Sequence, residues 1–381
     1  MRLFLRTVLR FLQEADIFLL LLCLLGAIYG LLIVASTISN REGFGINTQI
    51  SAIFIGVVLF VLFSYIDIDT IADKSIALFV ASMLLVSTLL IWGVGAAEVG
   101  EVGWLRFWGF GIQPAEVVKV PFVIIMAKMI SDYRERRNLS TMMSLLKIAA
   151  VTAMLVGLIM YASGDVGNPL MFIVTMLTML FIGGLRFRWF LLGGAATAAV
   201  SPLIWDYFFS PLQRDRIRAP FWPDEVDPLR QNVLWQSNMS IDAIASGGFS
   251  GQGLGNGRIT QSGRMPAQHT DFIFSAAGEE LGFVGCMLVL LLLTAIIIRC
   301  MYVGIKSNSP LGMLVCMGVA GLLTAQTLLN IGMCLGIMPV IGITLPFFSY
   351  GGSSIVTFFA AAGIVSGVKM RPKPARFRAQ V

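Results

Sequence analysis

Charge is scarce in this chain: Asp, Glu, Lys and Arg together make up only 13% of its 381 residues, against 57% hydrophobic ones. That balance excludes a soluble domain wrapped around one large core, and several apolar runs are long enough to cross a bilayer. Histidine is nearly absent. His269 is the only one, so a Ser-His-Asp mechanism would rest on a single poorly supported base and is set aside. The five cysteines, Cys23, Cys286, Cys300, Cys316 and Cys334, lie in or beside apolar segments. None has the spacing of a disulfide framework or a zinc site, so they read as small hydrophobic residues. No low-complexity run or internal repeat breaks the pattern. Arg2, Arg6 and Arg10 precede many spans, so a cleaved signal peptide is not expected.

What is there is an all-α polytopic membrane protein. Hydropathy places about ten spans, near 17–36, 49–65, 76–95, 115–130, 145–162, 169–185, 189–209, 281–298, 311–331 and 351–370. Those at 115–130 and 145–162 are short or carry charge. With both termini in the cytoplasm, the inner segments hold 17 Lys and Arg and the short outer loops only Arg41 and Arg106. Basic residues accumulate on the cytoplasmic side, and nine spans would put one basic terminus outside. The expectation is therefore one membrane domain over 1–381 with a single long extracytoplasmic loop, about 210–270. That loop is too long for a plain connection, which points to function. Its first part is charged and proline-bearing, and its second part is rich in glycine.

Asp271 closes this loop in His269-Thr270-Asp271-Phe272-Ile273-Phe274. An ionisable group at a bilayer boundary is costly and marks a functional site by default. Asp is also a favoured N-cap before an apolar run, and both roles stay open. If one helix runs through the segment, Glu279 lies about 80° from Asp271 around its axis and Glu280 about opposite. Glu279 is then the carboxylate that could share a cavity with Asp271 and help hold a divalent cation, although nothing resembles a dedicated metal cage. Glu116 and Lys119, three residues apart, read as a self-neutralising buried pair or as a lysine facing a diphosphate with its partner carboxylate. Asp165, beside Gly164, Gly167 and Pro169, has ordinary turn chemistry. Residues 246–257 contain six glycines in twelve positions. They form either a flexible turn or a loop whose exposed amides bind a lipid pyrophosphate or a sugar; no strand leads in, so a dinucleotide site is not expected. Asn330 to Ser354 is apolar yet full of helix breakers, which predicts a re-entrant loop before the last helix.

That last stretch closely resembles the signature of the SEDS family (shape, elongation, division and sporulation), whose members include RodA, FtsW and SpoVE. Four further segments agree in order. Gln113-Pro114-Ala115-Glu116 to Lys119 is similar to the family's Q-P-S-E-x-x-K, with Ala for Ser. Ser246-Gly247-Gly248 through Gly253-Leu254-Gly255 is similar to S-G-G-x-x-G-x-G-L-G. His269 to Phe274, then Gly278-Glu279-Glu280-Leu281-Gly282, match H-T-D-F-I-F and E-E-L-G. The chain departs from the pattern at Gly103, where a basic residue is usual. It departs again at Ser163-Gly164 and Asn168-Pro169 around Asp165, and at Trp235-Gln236 and Met239-Ser240 in the long loop.

The resemblance implies an inverting peptidoglycan glycosyltransferase that polymerises lipid II at the outer face of the bacterial cytoplasmic membrane, beside a class B penicillin-binding protein. No nucleic-acid partner is expected. Asp271 matches the family's essential aspartate. Glu116, Lys119 and Asp165 match its other important polar positions, Trp104 matches a tryptophan ahead of Q-P-S-E, and Ser349 falls in the signature. Lys119, Arg258 and Arg264 are available to stabilise a leaving pyrophosphate, by charge or through Mg²⁺ or another divalent cation. With no long tails, a RodA-like member serving elongation and shape is expected over an FtsW-like one. Two rival readings, a lipid II flippase and a non-catalytic scaffold for the penicillin-binding protein, predict different outcomes for loss of Asp271.

Overall fold

The structure, a computed structural model, describes residues 11–39, 45–95, 102–107, 110–165, 167–207 and 209–371. Arg2, Arg6, Arg10, Arg41, Lys373, Arg376 and Arg378, which enter the orientation argument, lie outside the described residues. In a bilayer core every backbone polar group must be satisfied within its own segment, so apolar runs of this length fold as helices. They do so as α1 (Ile17–Ile38), α2 (Ile46–Tyr65), α3 (Ser75–Ser87, continued by a turn at Leu89–Trp92), α4 (Lys119–Glu135), α5 (Met142–Ser163) and α6 (Gly167–Ile182). After these come α7 (Phe187–Tyr207), α8 (Trp235–Gly247), α9 (Ile273–Lys306), α10 (Pro310–Cys334) and α11 (Gly352–Met370).

Eight of these segments are long and apolar enough to cross a membrane; α4 and α6, at 17 and 16 residues, occupy the two remaining expected spans. The two weakest expectations diverge. The one at 145–162 is a full helix of 22 residues, whereas the one at 115–130 opens with a separate helical turn, Pro114–Val117, ahead of α4.

Local chemistry sets several boundaries. The Asp16 carboxylate accepts from the Leu19 amide at the start of α1, and Ser309 caps α10 ahead of Pro310. Burial then sorts the helices. α10 and α11 form the centre, with most of their residues buried, and α7 has none among its described side chains. On α1, Leu19, Cys23, Ala27 and Val34 face inward, while Leu21, Leu25, Ile28 and Leu32 face outward. That apolar outer stripe is what a helix against lipid requires.

Two features were not anticipated. A short hairpin, β1 (Leu105–Phe107) against β2 (Phe110–Ile112), precedes α4, with Leu105 opposite Ile112. It is hooked to the start of α11 by Ser353, whose hydroxyl accepts from the Gln113 amide and donates to the Gly111 carbonyl. The second is a break inside α9 at Gly282, with φ 66° and ψ −161°. The span expected at 281–298 is therefore the second limb of a longer broken element. The first limb carries Glu279 and Glu280.

Candidate active site

The non-helical segment between α10 and α11, Leu335 to Gly351, is the re-entrant loop the breakers predict, and it builds one wall of the site. Its apolar side chains Ile343, Leu345, Phe347 and Phe348 are buried, and Phe347 adopts φ 66°. A bulky side chain in that region is strained and persists only where its surroundings over-determine it. Here the surroundings are specific. Phe347 packs edge-on against Phe359 with ring centres 5.5 Å apart. Ser349, fully buried, accepts from the Leu345 amide at 2.7 Å and donates to the carbonyl of Thr270. From α2 the buried amide of Gln49 donates to the Ser349 carbonyl (3.0 Å) and accepts from the Gly351 amide (3.2 Å).

Asp271 lies against this loop, half-buried, in a turn closed by its own amide donating to Ala267 at 2.9 Å. It does not cap α9. That helix begins at Ile273 with Phe272 in the capping position and no side-chain cap, so the capping role is not realised. Burial pushes the Asp271 carboxyl up to about 6; a hydrogen bond from Thr270 opposes this and the charge of Asp165 adds to it. Asp165 is buried too, and desolvation raises its pKa although it accepts from Asn168 Nδ2 (2.6 Å) and the Gly167 amide (2.7 Å). The turn expected at Asp165 is present, and the same carboxylate also senses the Lys119 charge. Lys119 in turn pairs with Glu116 and donates to Gln326 Oε1 at 3.1 Å. Glu116, Lys119, Asp165 and Asp271 thus form one electrostatic group assembled from three separate stretches of chain, and Ser349 pins its loop to Thr270.

Other candidates fall elsewhere. Trp104 stands at the base of the hairpin, bridged to Val94, with its ring against Gly111. Arg258 and Arg264 are exposed, on and just after the short turn Arg258–Gln261. Glu279 does not turn toward Asp271. Because Asp271 precedes α9, the angular argument from a continuous helix fails, and the Glu279 carboxylate accepts from the amides of Ile259 (2.8 Å) and Thr260 (2.7 Å) and from the Thr260 hydroxyl (2.7 Å). It holds the loop in place instead of lining the site. Among the described residues no group of three or more His, Cys, Asp or Glu could hold a metal ion. The residues therefore do not fit a dedicated ion cage. His269 is buried with its ring edge-on to Tyr350.

The glycine-rich stretch has a structural use. It fills the break in α9: the amides of Gln252 and Gly253 donate to the carbonyls of Glu279 (3.0 Å) and Glu280 (2.9 Å). In return the amides of Phe283 and Val284 donate to the carbonyls of Gly248 and Phe249. A helix break inside an apolar bundle orphans backbone groups, and this loop supplies their partners.

Sequence reading missed Gln326 and Gln49 entirely and gave Asn330 no role. Asn330 donates to the carbonyls of Asp271 (2.7 Å) and Ile343 (2.6 Å). The available signal was a pair of amides four residues apart on an otherwise apolar helix, hence on one face.

Comparisons with known proteins bear on the fold and the family. The model of the FtsW/RodA/SpoVE family, described as cell cycle protein, matches residues 14–373. The chain is 30% identical over 372 residues to a protein named probable peptidoglycan glycosyltransferase FtsW of Trichlorobacter lovleyi, covering 95% of this chain and 96% of that one. It is also 30% identical over 361 residues to the peptidoglycan glycosyltransferase MrdB of Escherichia coli K12, covering 94% of each. A solved chain from work on polymerization and crosslinking by a peptidoglycan synthase complex superposes with a TM-score of 0.79 at 27% identity, covering 97% of this chain and 99% of that one. With a family match spanning nearly its whole length, the chain belongs to the FtsW/RodA/SpoVE family of cell cycle proteins.

Proposed function

We propose that this peptidoglycan glycosyltransferase polymerises lipid II at the outer face of the bacterial cytoplasmic membrane, with inversion and with Asp271 as general base. The 4-hydroxyl of an acceptor sugar attacks the anomeric carbon of a lipid-linked donor. Asp271 takes the hydroxyl proton, the new glycosidic bond forms, and the bond to the undecaprenyl pyrophosphate breaks with its electron pair leaving on the diphosphate. A base with a pKa near the working pH suits this step, and the observation that carries the reading is the raised Asp271 carboxyl beside the Asp165–Lys119 group. Lys119 offers a positive charge for the leaving diphosphate and Glu116 holds it there. Trp104, Arg258 and Arg264 are assigned to the approach of the substrate, the arginines as surface charges.

The orientation with both termini cytoplasmic is part of this reading. Arg299, Lys369 and Arg371 lie at the end of the bundle away from Asp271, where basic residues belong if that end is inside. A class B penicillin-binding protein is the proposed partner, supported by likeness to a chain from a complex that couples polymerization to crosslinking. A role in elongation and shape is the narrowest part, and depletion that rounds the cells, in place of filamenting them, is its expected outcome.

The deciding experiment is polymerisation of labelled lipid II by the purified chain with its cognate partner, comparing wild type with Asp271→Asn. Glycan from wild type alone, with the variant folded and partner-bound, is the expected result. Equal product from both would remove Asp271 from the chemistry. No product from either would return the flippase and scaffold readings.

A further inference from the structure

Gln326 and Asn330 stand one helical turn apart on α10, and both are fully buried. A side-chain amide is costly in an apolar bundle unless its donors and acceptor are used. Asn330 Nδ2 spends both N–H groups on carbonyls, those of Asp271 at 2.7 Å and Ile343 at 2.6 Å. Gln326 Nε2 donates to the carbonyl of Thr344 at 3.0 Å and to its hydroxyl at 3.2 Å, while its oxygen accepts from Lys119 at 3.1 Å. The pattern is a matched pair. Each amide holds one of two adjacent residues of the re-entrant loop, and each reaches to a different end of the charged group: Asn330 to Asp271 and Gln326 to Lys119.

Asp271 has no regular element of its own to hold it, since α9 starts two residues later. The carbonyl that Asn330 holds also accepts the weak thiol of Cys334, at 3.6 Å. A general base must sit within hydrogen-bond reach of the proton it takes, and a misplacement of about 1 Å can lower a rate by about 100-fold. Four residues of helix advance about 6 Å along a stiff axis.

We propose that Gln326 and Asn330 are the positioning residues of the transfer reaction, with α10 as the ruler that sets Lys119 and Asp271 at their working separation. The proposal rests on Asp271 being the base and Lys119 meeting the diphosphate.

The test uses the full chain with its partner and labelled lipid II, measuring kcat, KM and melting temperature for Asp271→Asn, Asn330→Ala, Asn330→Asp and Gln326→Ala. Asn330→Ala is expected to lower kcat about 10- to 100-fold with KM within about 2-fold. Asn330→Asp keeps the shape and, as a neutral acid, one of the two donors, so it recovers part of the lost kcat. Gln326→Ala, which frees Lys119, is expected to act mainly by raising KM about 5- to 10-fold. A purely structural role would lower kcat in both positions together with the folded fraction and leave KM alone, and that result overturns the proposal. So would failure of both Asn330 variants to fold, which would make Asn330 a determinant of the fold. An inactive Asp271→Asn beside a wild-type Asn330→Ala removes the positioning role and keeps the base. An active Asp271→Asn removes the base first.

Discussion

Asp271 occupies a half-buried turn, and desolvation makes its negative charge expensive. As a base it works only when deprotonated, so the rate should fall as pH drops below about 6, the value to which burial raises this carboxyl. A pH–rate profile between about 5 and 8 checks this; an acid limb centred near 4, the ordinary range for Asp, would speak against it. The same shift has a stability sign. Because the folded chain holds this proton more tightly than the unfolded one, ionising Asp271 costs stability as pH rises from 3.8 to about 6. Asp271→Asn should therefore lose about 100- to 10,000-fold in polymerisation while melting no lower than wild type at pH 7.5. A variant that is inactive because it melts early would contradict both halves. Glu279 illustrates the opposite case. Its oxygens are taken up by loop amides, so its charge serves architecture.

The broken helix α9 and the glycine-rich loop form one element made of two distant pieces. Gly282, at φ 66°, adopts a conformation that favours glycine, and a β-carbon there would come within 2.3 Å of the Gly251 nitrogen. Gly282→Ala thus meets both backbone strain and overpacking, and it should destabilise the protein by about 2–4 kcal/mol. Thermal melting in detergent would read this, and an unchanged melting temperature would show that the loop moves aside freely. Beside this break, Glu280 accepts from Ser36 of α1 at 2.7 Å and from Gln261 at 2.9 Å. The first limb of α9, the outer end of α1 and the long loop are therefore tied together within reach of the turn that carries Asp271. The re-entrant loop is held in the same manner from the other side, by Gln49 of α2.

Across the whole molecule, α1 and α9 are tied at both ends, and α11 joins them at one. At the end away from Asp271, Arg299 forms a bidentate pair with the fully buried Asp16 at 2.9–3.1 Å, and Lys369 stands 3.8 Å from the same carboxylate. Gly282 and Arg299 are separated by roughly 25 Å of helix, close to the hydrocarbon thickness of a bilayer. The two ends differ in exposure: Asp16 is 0% exposed and the Arg299 side chain 21%. Losing the arginine strands a buried anion, whereas losing the aspartate leaves a cation that water can still reach. Arg299→Met should therefore cost about 3–5 kcal/mol and Asp16→Asn distinctly less, by thermal melting of the two purified variants. Equal losses would mean that Lys369 takes over the pairing.

Much of this could be read along the chain. Apolar runs such as Ile17–Ile38 announce their helices because the bilayer leaves a backbone no other way to satisfy itself, and the breakers from Gly336 to Gly351 announce the loop between α10 and α11. Asp271, Lys119 and Glu116 stood out because charge is rare in such surroundings. What remained hidden depends on partners far apart in sequence. The inward role for Glu279 assumed a helix already running at residue 271, and the capping role a helix starting directly after it; α9 instead starts at Ile273 behind Phe272, and the amides of Ile259 and Thr260 hold Glu279. Gln49, Ser36, Gln326 and Asn330 looked like isolated polar residues in greasy helices. Hydropathy is a property of neighbours along the chain, whereas the worth of a buried amide depends on which distant carbonyl the folded bundle brings within about 3 Å of it.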